Sequence, residues 1–149
     1  KFLGYRDFLK HGSNILDHEF DFLIMPGWAA DDLLKNRVVD AFINVRSMME
    51  MNSAVIQNYF EIIQKTLRDN GLFICINRYI KDVITGSKQR ETNRMADYPF
   101  DPYWSPLYSF ASEIQPHIHL LIAKREKFKP LYSFKEILKS IRPNPFLAR

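Results

Sequence analysis

The chain has one cysteine, few glycines and no long apolar run. A single cysteine in 149 residues, Cys75, excludes an internal disulfide framework. It stands in Leu72-Phe73-Ile74-Cys75-Ile76 and reads as a small buried hydrophobe rather than a reactive thiol. A reducing cytoplasm is the expected setting. The five glycines, at 4, 12, 27, 71 and 86, include no Gly-x-Gly pair, so no glycine-rich phosphate loop is present. No apolar run nears the roughly 18 residues needed to span a bilayer. The opening Lys1-Phe2-Leu3-Gly4-Tyr5-Arg6-Asp7 has no signal-peptide core. Zinc-ligand spacing and a Ser-His-Asp order are also missing. His117 and His119 share one face of a strand but have no acidic cluster nearby, so they read as ordinary strand histidines and no metal is expected.

What is present describes an ordinary folded domain, with 46% hydrophobic and 26% charged residues. The net charge of +4 is uneven. Residues 124–149 carry eight basic and two acidic side chains, whereas residues 1–123 carry 13 basic and 15 acidic. A slightly acidic body with a basic tail is not the pattern of a nucleic-acid platform. The 14% aromatic residues fall mostly on core spacings and form no stacking platform for bases.

The periodicity predicts a helix over 1–11 stopped by Gly12, a strand over 20–25, and helical turns over 29–35. Two continuous apolar runs follow, residues 38–43 ending in Asn44 and residues 72–76 ending in Asn77. Between them Val55, Ile56, Tyr59, Phe60, Ile63 and Leu67 share a helical face, with Asn52 or Ser53 as cap and Asn70-Gly71 as stop. Strand, helix and strand of these lengths make a βαβ unit with parallel strands and both faces covered. Asn44 and Asn77 then share the carboxyl edge, where open α/β sheets bind ligands. Residues 78–104 are polar and carry Gly86, Pro99 and Pro102, so they are expected to be irregular and to lie over that edge. Strands over 107–111 and 118–123 form a terminal antiparallel pair, and a short helix is expected over 133–141.

The ordered set Asp40-Ala41-Phe42-Ile43-Asn44, Ser47-Met48-Met49-Glu50-Met51, Tyr59-Phe60, Asn70-Gly71-Leu72-Phe73 and Asn77-Arg78 resembles the putative sugar O-methyltransferases. These are a branch of the class I S-adenosylmethionine-dependent methyltransferases, and the resemblance covers roughly residues 20–126. It implies an α/β fold: the C-terminal part of a Rossmann-like sheet in strand order 3-2-1-4-5-7-6, with residues 20–25 as strand three. Residues 1–126 then form a partial methyltransferase domain and 127–149 a basic tail. The departure is the missing glycine loop, which in the family holds the methionine part of the cofactor. The chain is therefore expected to be the C-terminal portion of a longer protein, inactive alone, with an open edge that a homodimer or another segment covers.

The same resemblance implies S-adenosylmethionine as cofactor, held by Gly27, Trp28, Asn44, Val45 and Arg46. It implies Ser47, Asn77, Arg78 and Tyr79 on the side of a sugar or glycan acceptor, with Glu50 as the base that takes the hydroxyl proton. A sugar hydroxyl is weakly acidic, so such a base is useful. The structural alternatives are a strand-end cap for Asn44, a turn for Gly27-Trp28, and a charge at a helix start for Glu50. Two other functions stay open: a non-catalytic α/β interaction module with a basic tail, and a class I methyltransferase with a non-sugar acceptor.

Overall fold

A computed structural model of the chain describes residues 1–24, 27–30, 39–84 and 90–141. It divides into two compact units, Lys1–Val38 and Val39–Arg149. In the first unit, β1 (Phe2–Leu3) pairs in parallel with β2 (Phe22–Leu23). Between them lie helix α1 (Tyr5–His11) and a 3-10 turn over Gly12–Asp17. Gly12 takes φ +57° at the helix end, a left-handed value that favours glycine. Ile15 and Ala29 are buried there against Leu3, Phe8, Leu16 and Leu23. The helix expected from residue 1 begins at Tyr5, and the strand expected over 20–25 reduces to Phe22–Leu23. Most of the turns expected over 29–35 lie outside the described residues.

The second unit carries β3 (Val39–Val45), α2 (Ser53–Thr66) and β4 (Leu67–Arg78). A hairpin of β5 (Ile80–Ile84) and β6 (Arg90–Arg94) follows, then β7 (Trp104–Ala111), β8 (Ile118–Arg125) and α3 (Phe134–Ser140). The main sheet has four strands in the order β3-β4-β8-β7. β3 and β4 are parallel, with Phe42 beside Phe73 and Asn44 beside Cys75. Their connection passes through α2, capped by the Asn52 side chain, which accepts from the Val55 N–H at 2.9 Å. β8 runs antiparallel to both β4 and β7.

This overturns the expected Rossmann-like sheet. The described strands form three small sheets: a parallel pair, a mixed four-stranded sheet and an antiparallel hairpin. Only β3 and β4 are parallel in the main sheet, and residues 22–23 pair with 2–3 rather than joining it. The apolar runs predict strands covered on both faces, yet Ile43 and Val45 are 67% and 53% exposed. Continuous apolarity in β3 thus marks an edge strand with one open face. Within the stretch 78–104, expected to be largely irregular, Ile80–Ile84 and Arg90–Arg94 are instead strands β5 and β6, paired from Ile80↔Arg94 to Ile84↔Arg90.

One face of the main sheet carries the core. Phe73, Cys75, Leu121, Ala123 and Trp104 meet Ile56, Phe60 and Ile63 of α2. Phe100 is central, with ring centroids 4.7 Å from Phe60, 4.8 Å from Phe134 and 5.5 Å from Trp104, all edge-on. Edge-to-face pairs add about 0.5–1.5 kcal/mol each beyond area burial. Phe134 and Leu138 are buried in the same cluster, so the segment after residue 126 contributes to this core.

The expected Asn70-Gly71 helix stop is read differently by the backbone. α2 ends at Thr66, and β4 begins at once with a register shift opposite Val39 and Ala41. Asn70, not Gly71, holds the left-handed conformation, at φ +63°. Gly71 is needed for space: a Cβ there would stand 2.7 Å from Leu67 Cδ1 and 2.9 Å from the Arg68 carbonyl oxygen. Gly71→Ala is therefore expected to destabilise by about 1–3 kcal/mol through overpacking. Asn70→Gly, which relieves a left-handed residue, should be neutral or stabilising by tenths of a kcal/mol. Urea unfolding midpoints at constant slope check both.

Candidate functional site

The carboxyl ends of β3 and β4 bring most of the expected site residues together. Asn44 Nδ2 donates to Ser47 Oγ at 2.6 Å, and Asn44 Oδ1 accepts from the Met48 N–H at 3.2 Å. Asn77 Nδ2 donates to the same Asn44 Oδ1 at 2.8 Å and to Cys75 Sγ at 3.0 Å. Asn77 Oδ1 accepts from the Met49 N–H at 3.3 Å. Two strand-end amides thus fix the short 3-10 turn Met48–Glu50 against the sheet. The Arg78 N–H adds a contact to Met49 Sδ at 3.3 Å.

That turn presents Glu50 beside Lys81 of β5, and the two form an ion pair with side chains 52% and 23% exposed. An exposed pair contributes little to stability, but it fixes where the carboxylate lies. The hairpin is anchored to α2 as well, because Glu91 Oε2 accepts from the Ser53 N–H at 3.1 Å. Arg46 continues the ladder, its N–H donating to the Ile76 carbonyl at 2.8 Å. Its φ of +55° is uncommon for a residue with a side chain. Arg46 Nη1 reaches Gln115 Oε1 at 3.4 Å.

Other expected residues stand apart from this network. Val45 turns to the opposite face and is exposed. Tyr79 is buried, and its hydroxyl donates to the Leu138 carbonyl at 2.7 Å. That bond ties α3 to β4 and occupies the phenol. Gly27 and Trp28 belong to the first unit. Trp28 is 65% exposed and lies edge-on to Tyr5 and Phe8, with centroids 6.0 and 6.2 Å away.

The sequence reading missed Lys81, Gln115 and Ser109 and undervalued His119. His119 is buried, with Nε2 2.8 Å from Ser109 Oγ and its ring 5.5 Å from that of Tyr79. Burial holds its pKa below the ordinary 6.5. Burial also pushes the Cys75 thiol up to about 12, against a smaller opposing effect of the Asn77 hydrogen bond. The only signal for Lys81 was its place three residues past the end of β4. Gln115 gave none, since its partner Arg46 is 69 residues away, and Ser109 gave none because its contact to His119 depends on the register of the terminal pair.

Elsewhere, an open groove of about 500 Å³ lies between Phe100, Pro102, Lys129 and Tyr132, near the start of α3. Among the described residues no group of three His, Cys, Asp or Glu could hold a metal, and no helix is long and apolar enough to cross a membrane. Compared with models of protein families the chain matches none, and no curated protein matches it.

Two measurements test this geometry. Asn77→Leu should leave the Met49 N–H without a partner and take one of two donors from Asn44 Oδ1, which keeps the Met48 N–H. A group left buried and unbonded costs about 1–3 kcal/mol, so chemical denaturation should show a loss in that range. For His119 the folded pKa lies below the unfolded one, so the unfolded chain binds more protons on acidification. Its contribution is complete above pH 6.5 and is lost as pH falls from there toward the folded value. A His119→Asn variant should lose that part of the pH dependence as pH falls below about 6.5.

Proposed function

We propose that this chain serves S-adenosylmethionine-dependent O-methyl transfer to a sugar hydroxyl and supplies the acceptor side of the site. The observation that carries the reading is the set Asn44, Ser47, Glu50, Asn77 and Lys81, joined by hydrogen bonds and an ion pair at the ends of two parallel strands.

The residues present do not fit the whole cofactor. Asn44 Oδ1 already has two donors and its Nδ2 already serves Ser47. Glu50, the acid at this edge, is assigned to the acceptor hydroxyl, which leaves no further acid of the set Asn44, Ser47, Glu50, Asn77 and Lys81 for a ribose diol. The reading therefore requires a glycine-rich loop from sequence beyond these residues, and no step is derived through the cofactor. The residues do fit the acceptor. Glu50 accepts the proton of the attacking hydroxyl, and Lys81 holds the carboxylate at the edge. A positioned base of this kind is typically worth about 10²–10⁴-fold. A cytoplasmic setting belongs to the same reading, supported by a sole cysteine that is fully buried.

A second reading, a non-catalytic interaction module that includes a homodimer, draws on the open face of the sheet. Ile43, Val45, Tyr108 and Phe110 are each about half exposed or more there.

The natural full-length protein, incubated with S-adenosylmethionine and a panel of sugars, should yield a methylated sugar. Glu50→Gln should lower kcat by about 10²-fold or more. Its affinity for S-adenosylhomocysteine, read by calorimetry, should stay within about threefold, because the loss is confined to the transition state. No heat with S-adenosylhomocysteine and no methylated product would remove this reading and favour the interaction module.

A further inference from the structure

We infer that the carboxyl edge of β3 and β4 binds an oxyanion, the phosphate or carboxylate of an anionic sugar, between the guanidinium groups of Arg46 and Arg78. The inference rests on the acceptor-side reading and names what that reading leaves open, the charge of the acceptor.

Arg46 follows the last residue of β3, and Arg78 is the last residue of β4. Val45 is the partner of Ile76, so the two arginines end neighbouring strands within a residue or two of the same level. Arg78 in turn is the partner of Ile118 at the start of β8. Arg46 hydrogen-bonds Gln115, three residues before Ile118, and β4 lies between β3 and β8. Its side chain therefore reaches the loop before β8, and Arg78 pairs with the first residue of β8, so the two arginines flank the same loop.

Neither charge is neutralised by a described residue. The acids at this edge are committed or distant in bonding: Glu50 pairs with Lys81, and Glu113 of the same loop forms no ion pair with either arginine. A guanidinium carries five N–H donors. Arg46 uses one on Gln115, and the Arg78 side chain uses none on any described residue. Arg78 Nε is moreover buried and has no hydrogen-bond partner among the described residues. A buried N–H on a cation is costly to leave unmade. A planar oxyanion between the two forks supplies what is missing: opposite charge and paired acceptors. The positive φ of Arg46, at the residue that follows β3, is a strained backbone of the kind kept at binding edges.

The test titrates the protein at low salt with inorganic pyrophosphate in one arm and glucuronate in the other, with chloride at matched ionic strength as the control. Binding is read by calorimetry and by the Nε–Hε NMR signals of the arginines. The expected result is saturable binding in at least one oxyanion arm, with a shift of the Arg78 Nε–Hε signal, and none with chloride. Arg78→Gln and Arg46→Gln should each weaken it by about tenfold or more, and added salt should weaken it further. Saturation by pyrophosphate assigns a phosphorylated acceptor, and by glucuronate alone a uronic acid. No saturation in either arm, an unmoved Arg78 signal, or unchanged affinity in both variants overturns the inference. The wild-type signal needs no variant to fold. Failure of methyl transfer would remove the proposed reaction and leave an observed oxyanion site standing.

Discussion

The amide of Asn77 is the constraint on which this edge of the molecule depends. It is fully buried, at the end of β4, and each of its polar atoms is bonded to a different piece of chain. The oxygen holds the turn after β3, the nitrogen holds Asn44, and a contact to Cys75 stays within β4. An amide is suited to this because it donates and accepts in one plane without charge. A carboxylate would offer two acceptors and no donor for Asn44. A leucine of similar size would offer neither. The placement of Glu50, and through it of Lys81, follows from this one buried group.

The sheet built around it is one-sided. Phe73, Cys75, Asn77 and Tyr79 point into the core with Leu121 and Ala123. The alternate residues form two rows on the other face. Ile43, Ile74, Ile122 and Tyr108 lie across four strands, and Val45, Ile76, Leu120 and Phe110 lie in the next row. Four strands at about 4.8 Å spacing make such rows wide enough to count as one patch rather than scattered side chains. The β3 end of each row is the most open, with no second neighbour to β3 beyond β4 among the described strands. Stability therefore rests on the aromatic cluster around Phe60 and Phe100, which α2 and α3 close from one side.

How much of this was legible in the sequence depended on the range of the interactions. The β3–α2–β4 unit was readable because its signals are local: an apolar run, a cap at Asn52, a helical stripe and a second run. The terminal antiparallel pair was readable for the same reason. The extent of the parallel sheet was not. Ile43 and Val45 are apolar whether a strand is central or at an edge, so composition gives no count of neighbours. The β5–β6 hairpin hid because its strands bury only Val83 and Asn93, and their other residues are polar or partly exposed. At the site, Asn44, Asn77 and Glu50 were found because they follow strand ends. Lys81 was not found, since its partner Glu50 lies 31 residues away, and the Ser109–His119 contact was not found because it depends on the register of the terminal pair.

The edge separates into two kinds of polar group, and the separation is a matter of solvation. Amides and hydroxyls fill the buried part, where Asn44, Ser47 and Asn77 satisfy one another at no cost in charge. Most ionic side chains take the rim, where water and counter-charge can reach them, while Arg78 keeps its Nε buried. On the rim one acid meets one base at Glu50 and Lys81, whereas Arg46 and Arg78 have no such match. Burying a polar network is favourable only when it is complete, and the amide network is. The rim is complete in its negative charge and incomplete in its positive charge. That imbalance lies on the strand ends to which the buried amides hold the chain, so the surplus cations are held in position rather than free to disperse into solvent.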